Sequence, residues 1–322
     1  MTAVLTRFLE VADATEELAR DVADGLGRTP KTLPPKWLYD ARGSELFEDI
    51  TRLPEYYPTR AEREILARRA PEIARASGAT MLVELGAGSC EKARVLLDAL
   101  TAGGTCRRYV AADVSESALL ESTATLSSEY PAVTVEGVVA DFEAHLDRLP
   151  AGERRLLAFL GGTIGNLVPE QRARFLAGVA DVLGPGDSFL LGTDLVKDPD
   201  RLVRAYDDAA GVTAAFDLNV LAVVNRQLGA DFDLDAFRHR SVWDAENEWI
   251  EMRLRSLRDQ TVRLARLGTD VHFAEGEEMR TEISAKFRRE RVEKEAGAVG
   301  LRLQHWWTDD AGDYALSMLA RA

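Results

Sequence analysis

The 322-residue chain carries 40 basic and 54 acidic residues, a formal net charge of −14. That balance repels phosphate backbones and anionic lipid surfaces, and so argues against nucleic acid or a membrane as partner. The length exceeds one ordinary domain and falls short of two full ones, which predicts one domain interrupted by a substantial insertion.

The first residues, "MTAVLTRFLEVADATEELAR", alternate acids with apolar residues and lack the basic-then-apolar order of an export signal. The next stretch, "TLPPKWLYDARGSELFEDITRLPEYYPTR", belongs to neither sheet of the chain by pattern and is rich in aromatics, prolines and turn formers. It reads as an arm packed on the core or as a lid over a site, to which Tyr39, Tyr56 and Tyr57 would each bring a hydroxyl on an apolar ring.

From Thr80 to about Leu195 short apolar runs alternate with amphipathic segments: "TMLVELG", "CEKARVLLDALTA", "RRYVAADV", "ESALLESTATLSSEY", "VTVEGVVADF", "RRLLAFLGG", "PEQRARFLAGVADVL" and "DSFLLGTDLV". This order predicts a parallel sheet with helices on both faces, whose ligands bind beyond the carboxyl ends of the strands. After Lys197 the pattern changes to two helices and then, from Phe237, to strands of period two. Ile250, Met252 and Leu254 share one face there, and Glu251, Arg253 and Arg255 the other. The end of the chain gives a helix, a strand and a return strand that complete the first sheet. The boundaries read from these changes are 1–60 for an N-terminal part of the substrate-binding domain, 61–196 for the first part of the main domain, 197–286 for the substrate-binding insertion and 287–322 for the completing strands.

Composition along the chain narrows the chemistry. "REILARRA" and "KFRRERVEK" are interrupted by acids and read as solvated helix faces. No apolar run approaches the roughly 20 residues of a membrane helix. Cys90 and Cys106 lack C-x-x-C spacing, and His145, His239, His272 and His305 stand far apart, so no metal site is predicted and the expected compartment is the reducing cytoplasm.

"LVELGAGSCEK" begins as a dinucleotide-binding turn, with Gly86 and Gly88 between strand and helix, but Glu91 stands where G-x-G-x-x-G requires its third glycine. A carboxylate there opposes phosphates at a helix N-terminus. A nucleoside cofactor without phosphates tolerates it, and S-adenosylmethionine is the common one. Asp113, ending the second strand, suits the ribose hydroxyls, and Asp141 with Phe142, after the third, suits an adenine amino group and ring face. Each aspartate taken singly also reads as a helix N-cap.

Long strings then identify a family. "LPPKWLYDARGSELFEDITRLPEYYPTRAE", "LVELGAGSCEK", "FLGGTIGNL", "LLGTDLVKD", "LVRAYDDAAGVTAAFDLNVL", "EEMRTEISAKF" and "HWWTD" resemble the L-histidine Nα-methyltransferases of ergothioneine biosynthesis nearly end to end. The resemblance implies an α/β fold: a Rossmann-like class I methyltransferase sheet with a second, α+β substrate domain built from the N-terminal arm and the insertion. It implies S-adenosylmethionine held by Gly86, Lys92, Asp113, Asp141 and Phe142, with Lys92 facing the methionyl carboxylate. It implies L-histidine held by Tyr56, Asn166, Tyr206, Glu282 and Ser284, with Tyr39, Gly161, Thr163 and Met252 lining the pocket, and no obligate protein partner. Transfer itself calls for Asn166 and the Gly161 to Thr163 segment to direct the amine, with Tyr39 as a water-mediated base. Strand alternation places Glu282 and Ser284 opposite Met279, Thr281 and Ile283.

Three other functions fit parts of the same pattern. They are N-methylation of another aromatic amino acid, nicotinamide-dependent oxidation, and cofactor binding without turnover.

Overall fold

Runs of β-branched and leucine side chains with no polar alternation form strands only where both faces are covered. The computed structural model, which describes residues 4–8 and 11–322, contains such a sheet. In chain order the strands are β1 (Val4–Arg7), β2 (Met81–Leu85), β3 (Arg108–Asp113), β4 (Thr134–Val139), β5 (Arg155–Phe159) and β6 (Ser188–Asp194). They continue as β7 (Phe237–Asp244), β8 (Trp249–Ser256), β9 (Gln260–Leu264), β10 (Thr269–Phe273), β11 (Glu278–Ala285), β12 (Leu301–Thr308) and β13 (Tyr314–Arg321).

Chain contacts divide the molecule into two units. The first joins β1 to residues 58–196 and 287–322. Its eight strands run in the order β1-β4-β3-β2-β5-β6-β13-β12, parallel from β1 to β6, with β13 antiparallel to both β6 and β12. Parallel neighbours need long crossovers, and the helices Glu91–Ala102, Glu116–Glu129 and Pro169–Val182 lie in three of them. Chain direction across the sheet reverses at β2, where Leu85 lies level with Ala112 of β3 and Phe159 of β5. The loops after β2, β3, β4 and β5 therefore leave the same edge at a topological switch point, the ligand-binding edge of such sheets.

One reading of the N-terminal residues needs correction. Val4–Arg7 pairs in parallel with Glu136–Val139 at the sheet margin, so these residues belong to the first sheet and not to the substrate-binding part. Four residues with mostly exposed side chains carry too little hydrophobic periodicity to reveal a strand.

The second unit comprises residues 197–286 and the arm before Pro58. It holds the antiparallel sheet β11-β8-β7 and the ribbon β9-β10, with the helices Val11–Leu26, Ala41–Arg52, Pro199–Ala205 and Val212–Leu228. Asp40 caps Ala41–Arg52 by accepting from Gly43 N at 2.8 Å, and also accepts from Asn219 at 2.7 Å and Arg226 at 2.7 Å. One carboxylate thus joins two helices. Leu33 N donates to Arg280 O at 2.9 Å and Arg280 N to Lys31 O at 3.0 Å, which covers the free edge of β11.

Beside the sheet of the first unit, Arg172 is wholly buried and grips Glu295 through two bonds of 2.6 and 2.9 Å. It also donates to Leu167 O at 3.0 Å, which ties down the turn that follows β5. Arg172→Met leaves that carbonyl without its donor and Glu295 with Arg291 alone, at 3.0 Å. The expected cost is about 2–4 kcal/mol in urea denaturation, and an unchanged midpoint would contradict the role.

Candidate functional site

At the switch point Gly86 and Gly88 take φ of 66° and 50°. Both turn residues border open space, since a Cβ built on either meets no atom within 4 Å. Glycine is needed for the turn, and the hollow beside it would admit a ligand against bare backbone. Gly86 N and Ala87 N donate to Ala112 O at 2.8 and 3.2 Å, and Gly88 N donates to Asp113 Oδ2 at 2.9 Å. Asp113 therefore holds the glycine turn in place while keeping lone pairs for a diol. Burial raises its pKa, and the N–H groups of Ser115, Gly88 and Val114 pull it back. Glu91 opens the following helix and pairs with Arg63 at 2.8 Å.

After β4, Asp141 accepts from Glu143 N at 2.8 Å, and its own N–H donates to His145 Nδ1 at 3.2 Å. The Phe142 ring packs 4.9 Å from Phe159 and 5.8 Å from Phe175. Phe142 itself is half-buried. After β5, Gly161 and Gly162 adopt φ of 82° and 72° and lead into a 3-10 turn, Thr163–Asn166. Thr163 Oγ1 donates to Leu160 O at 3.2 Å.

Two acids that were not among the predicted site residues organise this edge. Glu62, from the helix Pro58–Ser77, is buried and accepts from Gly161 N at 2.7 Å and Tyr314 OH at 2.9 Å. Lys92 Nζ lies 2.7 Å from its second oxygen. Lys92, expected to face a methionyl carboxylate, is thus already held by a protein carboxylate beside Gly161. Glu84 is the second: it is buried in β2 and accepts from Tyr109 at 2.7 Å. Burial pushes its carboxyl up to about 7, against the Tyr109 hydrogen bond and the charge of Lys92. Burial likewise lifts Cys90 to about 11, so it stays a thiol.

The second unit gathers Tyr56, Tyr206, Met252, Glu282 and Ser284. Tyr206 OH and Ser284 Oγ are 2.7 Å apart, and the Tyr56 and Tyr206 rings meet edge-on at 5.9 Å. Tyr39 joins through Phe47: its ring lies 5.5 Å from Phe47, which lies 6.3 Å from Tyr56. The register of β11 corrects the expected faces. It shifts between Arg280 and Glu282, so Met279 opposes Leu254 and Glu282 opposes Met252. Met279 therefore shares a face with Glu282 and Ser284, and Thr281 is the extra, bulged residue.

The bulge lets Thr281 Oγ1 donate to Asp217. Asp217 also accepts from His239 Nδ1 at 2.6 Å, while His239 Nε2 donates to Tyr206 O at 2.8 Å. Both ring nitrogens face acceptors. Burial opposes the imidazolium, but Asp217 outweighs it and the pKa of His239 rises. Glu282 is buried nearby, and desolvation together with the charge of Asp217 pushes it up to about 8 against attraction to Lys286 and His239. Lys286 corrects another expectation: placed by sequence on a solvated helix face, it is wholly buried at the end of β11. Its Nζ donates to Tyr206 OH at 2.9 Å and Ser284 Oγ at 2.8 Å.

Among the described residues no group of three or more His, Cys, Asp or Glu side chains could hold a metal ion, and no helix is long and apolar enough to cross a membrane.

A family model described as a histidine-specific, S-adenosylmethionine-dependent methyltransferase matches residues 18–321. The chain is 57% identical over 321 residues to a histidine N-alpha-methyltransferase of Mycolicibacterium smegmatis, with all of both chains covered. It is 57% identical over 304 residues to the enzyme of that name from Mycobacterium tuberculosis, covering 94% of this chain and 95% of the relative. An L-tryptophan methyltransferase of Psilocybe serbica is 27% identical over 343 residues, covering 96% and 94%.

The raised pKa of Glu282 has a sign that can be checked. The folded state holds this proton up to about pH 8, whereas the ordinary carboxyl releases it near 4.5. Its contribution to stability is therefore complete below that lower value and is lost as pH rises toward the upper one. Without ligand, Glu282→Gln is expected to gain stability relative to the parent between about pH 5 and 8 in urea denaturation. A constant difference across that range would contradict the burial argument.

Proposed function

Because the chain belongs to the histidine-specific, S-adenosylmethionine-dependent methyltransferase family, we propose that it methylates the α-amino nitrogen of L-histidine three times. The product is Nα,Nα,Nα-trimethyl-L-histidine, or hercynine, and the reaction is the first step of ergothioneine biosynthesis. The observation that carries this reading is a buried carboxylate, Glu282, set on one strand face with Ser284 and opposite Met252, in a chain so similar over its whole length to enzymes of that name. A carboxylate and a hydroxyl suit the two nitrogens of an imidazole, and a buried carboxylate has no partner on an unsubstituted phenyl ring.

The residues divide the work as follows. Gly86 and its turn, Asp113, Asp141 and Phe142 fit a nucleoside ligand: open space lies against the glycines, and a carboxylate is braced by backbone N–H groups. Lys92, held by Glu62, would receive a carboxylate. When bound, S-adenosylmethionine supplies a methyl carbon already made electrophilic by its sulfonium. The protein's part is alignment rather than covalent catalysis.

The family resemblance assigns the amino acid's own carboxylate and amine to Asn166 and Tyr206, and Tyr56 packs against Tyr206. The Gly161 to Thr163 segment keeps space about the amine, because glycine at two successive positions leaves room for a growing trimethylammonium group. That group, with its permanent positive charge, suits an aromatic face. An α-amine is largely protonated at neutral pH, and each pH unit of that preference costs about 1.4 kcal/mol. Tyr39 is assigned the departing proton, through water. Both cysteines are free and buried, which suits a reducing compartment, and a cytoplasmic, partner-independent enzyme is the reading proposed with it.

Methylation of another aromatic amino acid is the second reading, favoured by the similarity to a tryptophan methyltransferase. Mass spectrometry after incubation with S-adenosylmethionine and all twenty amino acids separates the two. Histidine alone should gain three methyl groups; labelled tryptophan or tyrosine would overturn the substrate, and no labelling would overturn the activity. In Glu282→Ala, kcat/KM for histidine should fall about 10–100-fold while selectivity over tryptophan relaxes. An unchanged histidine-to-tryptophan ratio would remove Glu282 from recognition.

A further inference from the structure

Tyr39 ends one short helix and stands just before another, and the backbone on both sides of it is tightly packed. The 3-10 turn Pro35–Leu38 closes on it, its N–H donating to Lys36 O at 3.4 Å. Just behind, Leu38 O presses on Gly43, where a Cβ would fall 1.6 Å from that oxygen, so the turn rests directly on the start of the helix Ala41–Arg52. Just ahead, Asp40 caps the same helix through Gly43 N.

The ring is held by two helices. Its centroid lies 5.5 Å from Phe47, on Ala41–Arg52, and 5.3 Å from Phe216, on Val212–Leu228, edge-on to both. Phe47 and Phe216 are themselves 6.1 Å apart, so the slot depends on the spacing of these helices. Asp40 joins them. Gly43 N belongs to the first helix, Asn219 and Arg226 to the second, and all three must donate because a carboxylate can only accept. Burial pushes the Asp40 carboxyl up, but these three donors outweigh it and hold it below the usual range, so it is ionised at neutral pH. Arg226 is largely exposed and adds little. The buried Asn219 amide carries the tie.

A tyrosine hydroxyl lies on the axis of its ring, so ring flips leave it in place. Its position follows from the backbone and χ1, and a small rotation there is magnified at the far end of the ring. We propose that Asp40, acting with Asn219, is a positioning residue for the Tyr39 hydroxyl. The inference rests on the assignment of the departing proton to Tyr39 given above. A group that passes a proton through water must keep its place closely, and a displacement of about 1 Å is expensive. The residues assigned to the cofactor belong to the other unit, so its binding does not depend on this clamp.

The test is a double-mutant cycle in steady-state kinetics with histidine. Tyr39→Phe should lower kcat about 10–100-fold. Asp40→Ala should lower it about tenfold, and by no more than Tyr39→Phe does, with KM for S-adenosylmethionine kept within about twofold. Asn219→Ala, which leaves the Asp40 cap on Gly43 N in place, should act in the same direction and less. In the Tyr39→Phe background neither variant should cost more than about twofold further, because the hydroxyl they hold is gone. Retained thermal unfolding and S-adenosylhomocysteine binding establish that each variant is folded. Should Asp40→Ala fail to fold, Asn219→Ala carries the same cycle.

Losses that multiply undiminished with that of Tyr39→Phe would overturn the proposal, since the clamp would then serve the fold alone. Full kcat in both single variants would also overturn it. Unchanged kcat in Tyr39→Phe would defeat the proton assignment and the proposal with it. A parent that methylates no histidine would defeat the proposed function itself, so the failures are distinguishable.

Discussion

A carboxylate with almost no contact with water organises the ligand edge of the first unit. Burying Glu62 is tolerable only because its oxygens meet an ammonium, a phenol and a backbone N–H. Those partners come from the helix after the glycine turn, the last strand, and the loop after β5. Gly161 can approach because it lacks a side chain: a Cβ there would lie 2.9 Å from Lys92 Nζ. One acid thereby sets the position of the lysine, the glycine loop and the tyrosine at once. The glycine turn depends on a similar device, in which Asp113 accepts from the turn it faces.

The second unit solves a related problem with more charges. Asp217 and Glu282 stand against His239 and Lys286, all four buried. The bulge at Thr281 makes the arrangement fit, since it turns a hydroxyl toward Asp217 while returning Glu282 to the face of Met252. Glu282 keeps a raised pKa because burial and the charge of Asp217 outweigh the attraction of two cations, Lys286 and His239. In the proposed function a carboxyl in that state gains from an arriving imidazole, and that gain is where selectivity arises. The hydrogen bond from His239 to the Tyr206 carbonyl carries the same network to the phenol that Lys286 orients.

The parallel sheet was readable because fully buried strands leave unbroken apolar runs, as in Met81–Leu85. The glycine turn was readable because positive φ leaves few residue choices. Glu62 was not. It lies in "AEREILARRA", where charge spacing is that of a solvated helix, and nothing local reveals that one acid of the series points inward while Glu64 and Glu72 pair on the surface. Lys286 was missed for the same reason, because the run "KFRRERVEK" averages a buried end of strand with an exposed helix. The bulge escaped because strict alternation assumes an unbroken register, and a single extra residue is decided by the partner strand. Recognition of Glu282 and Ser284 came from resemblance, and their burial came only with the folded chain.

The central claim is that methyl groups go to the α-nitrogen of histidine and reach three. NMR of histidine incubated with the protein and S-adenosylmethionine carrying a carbon-13 methyl tests it most directly. The account predicts that the label accumulates in a single trimethylammonium resonance coupled to the histidine α-carbon. Label on a ring nitrogen, or an end product bearing fewer methyl groups with cofactor still in excess, would contradict it.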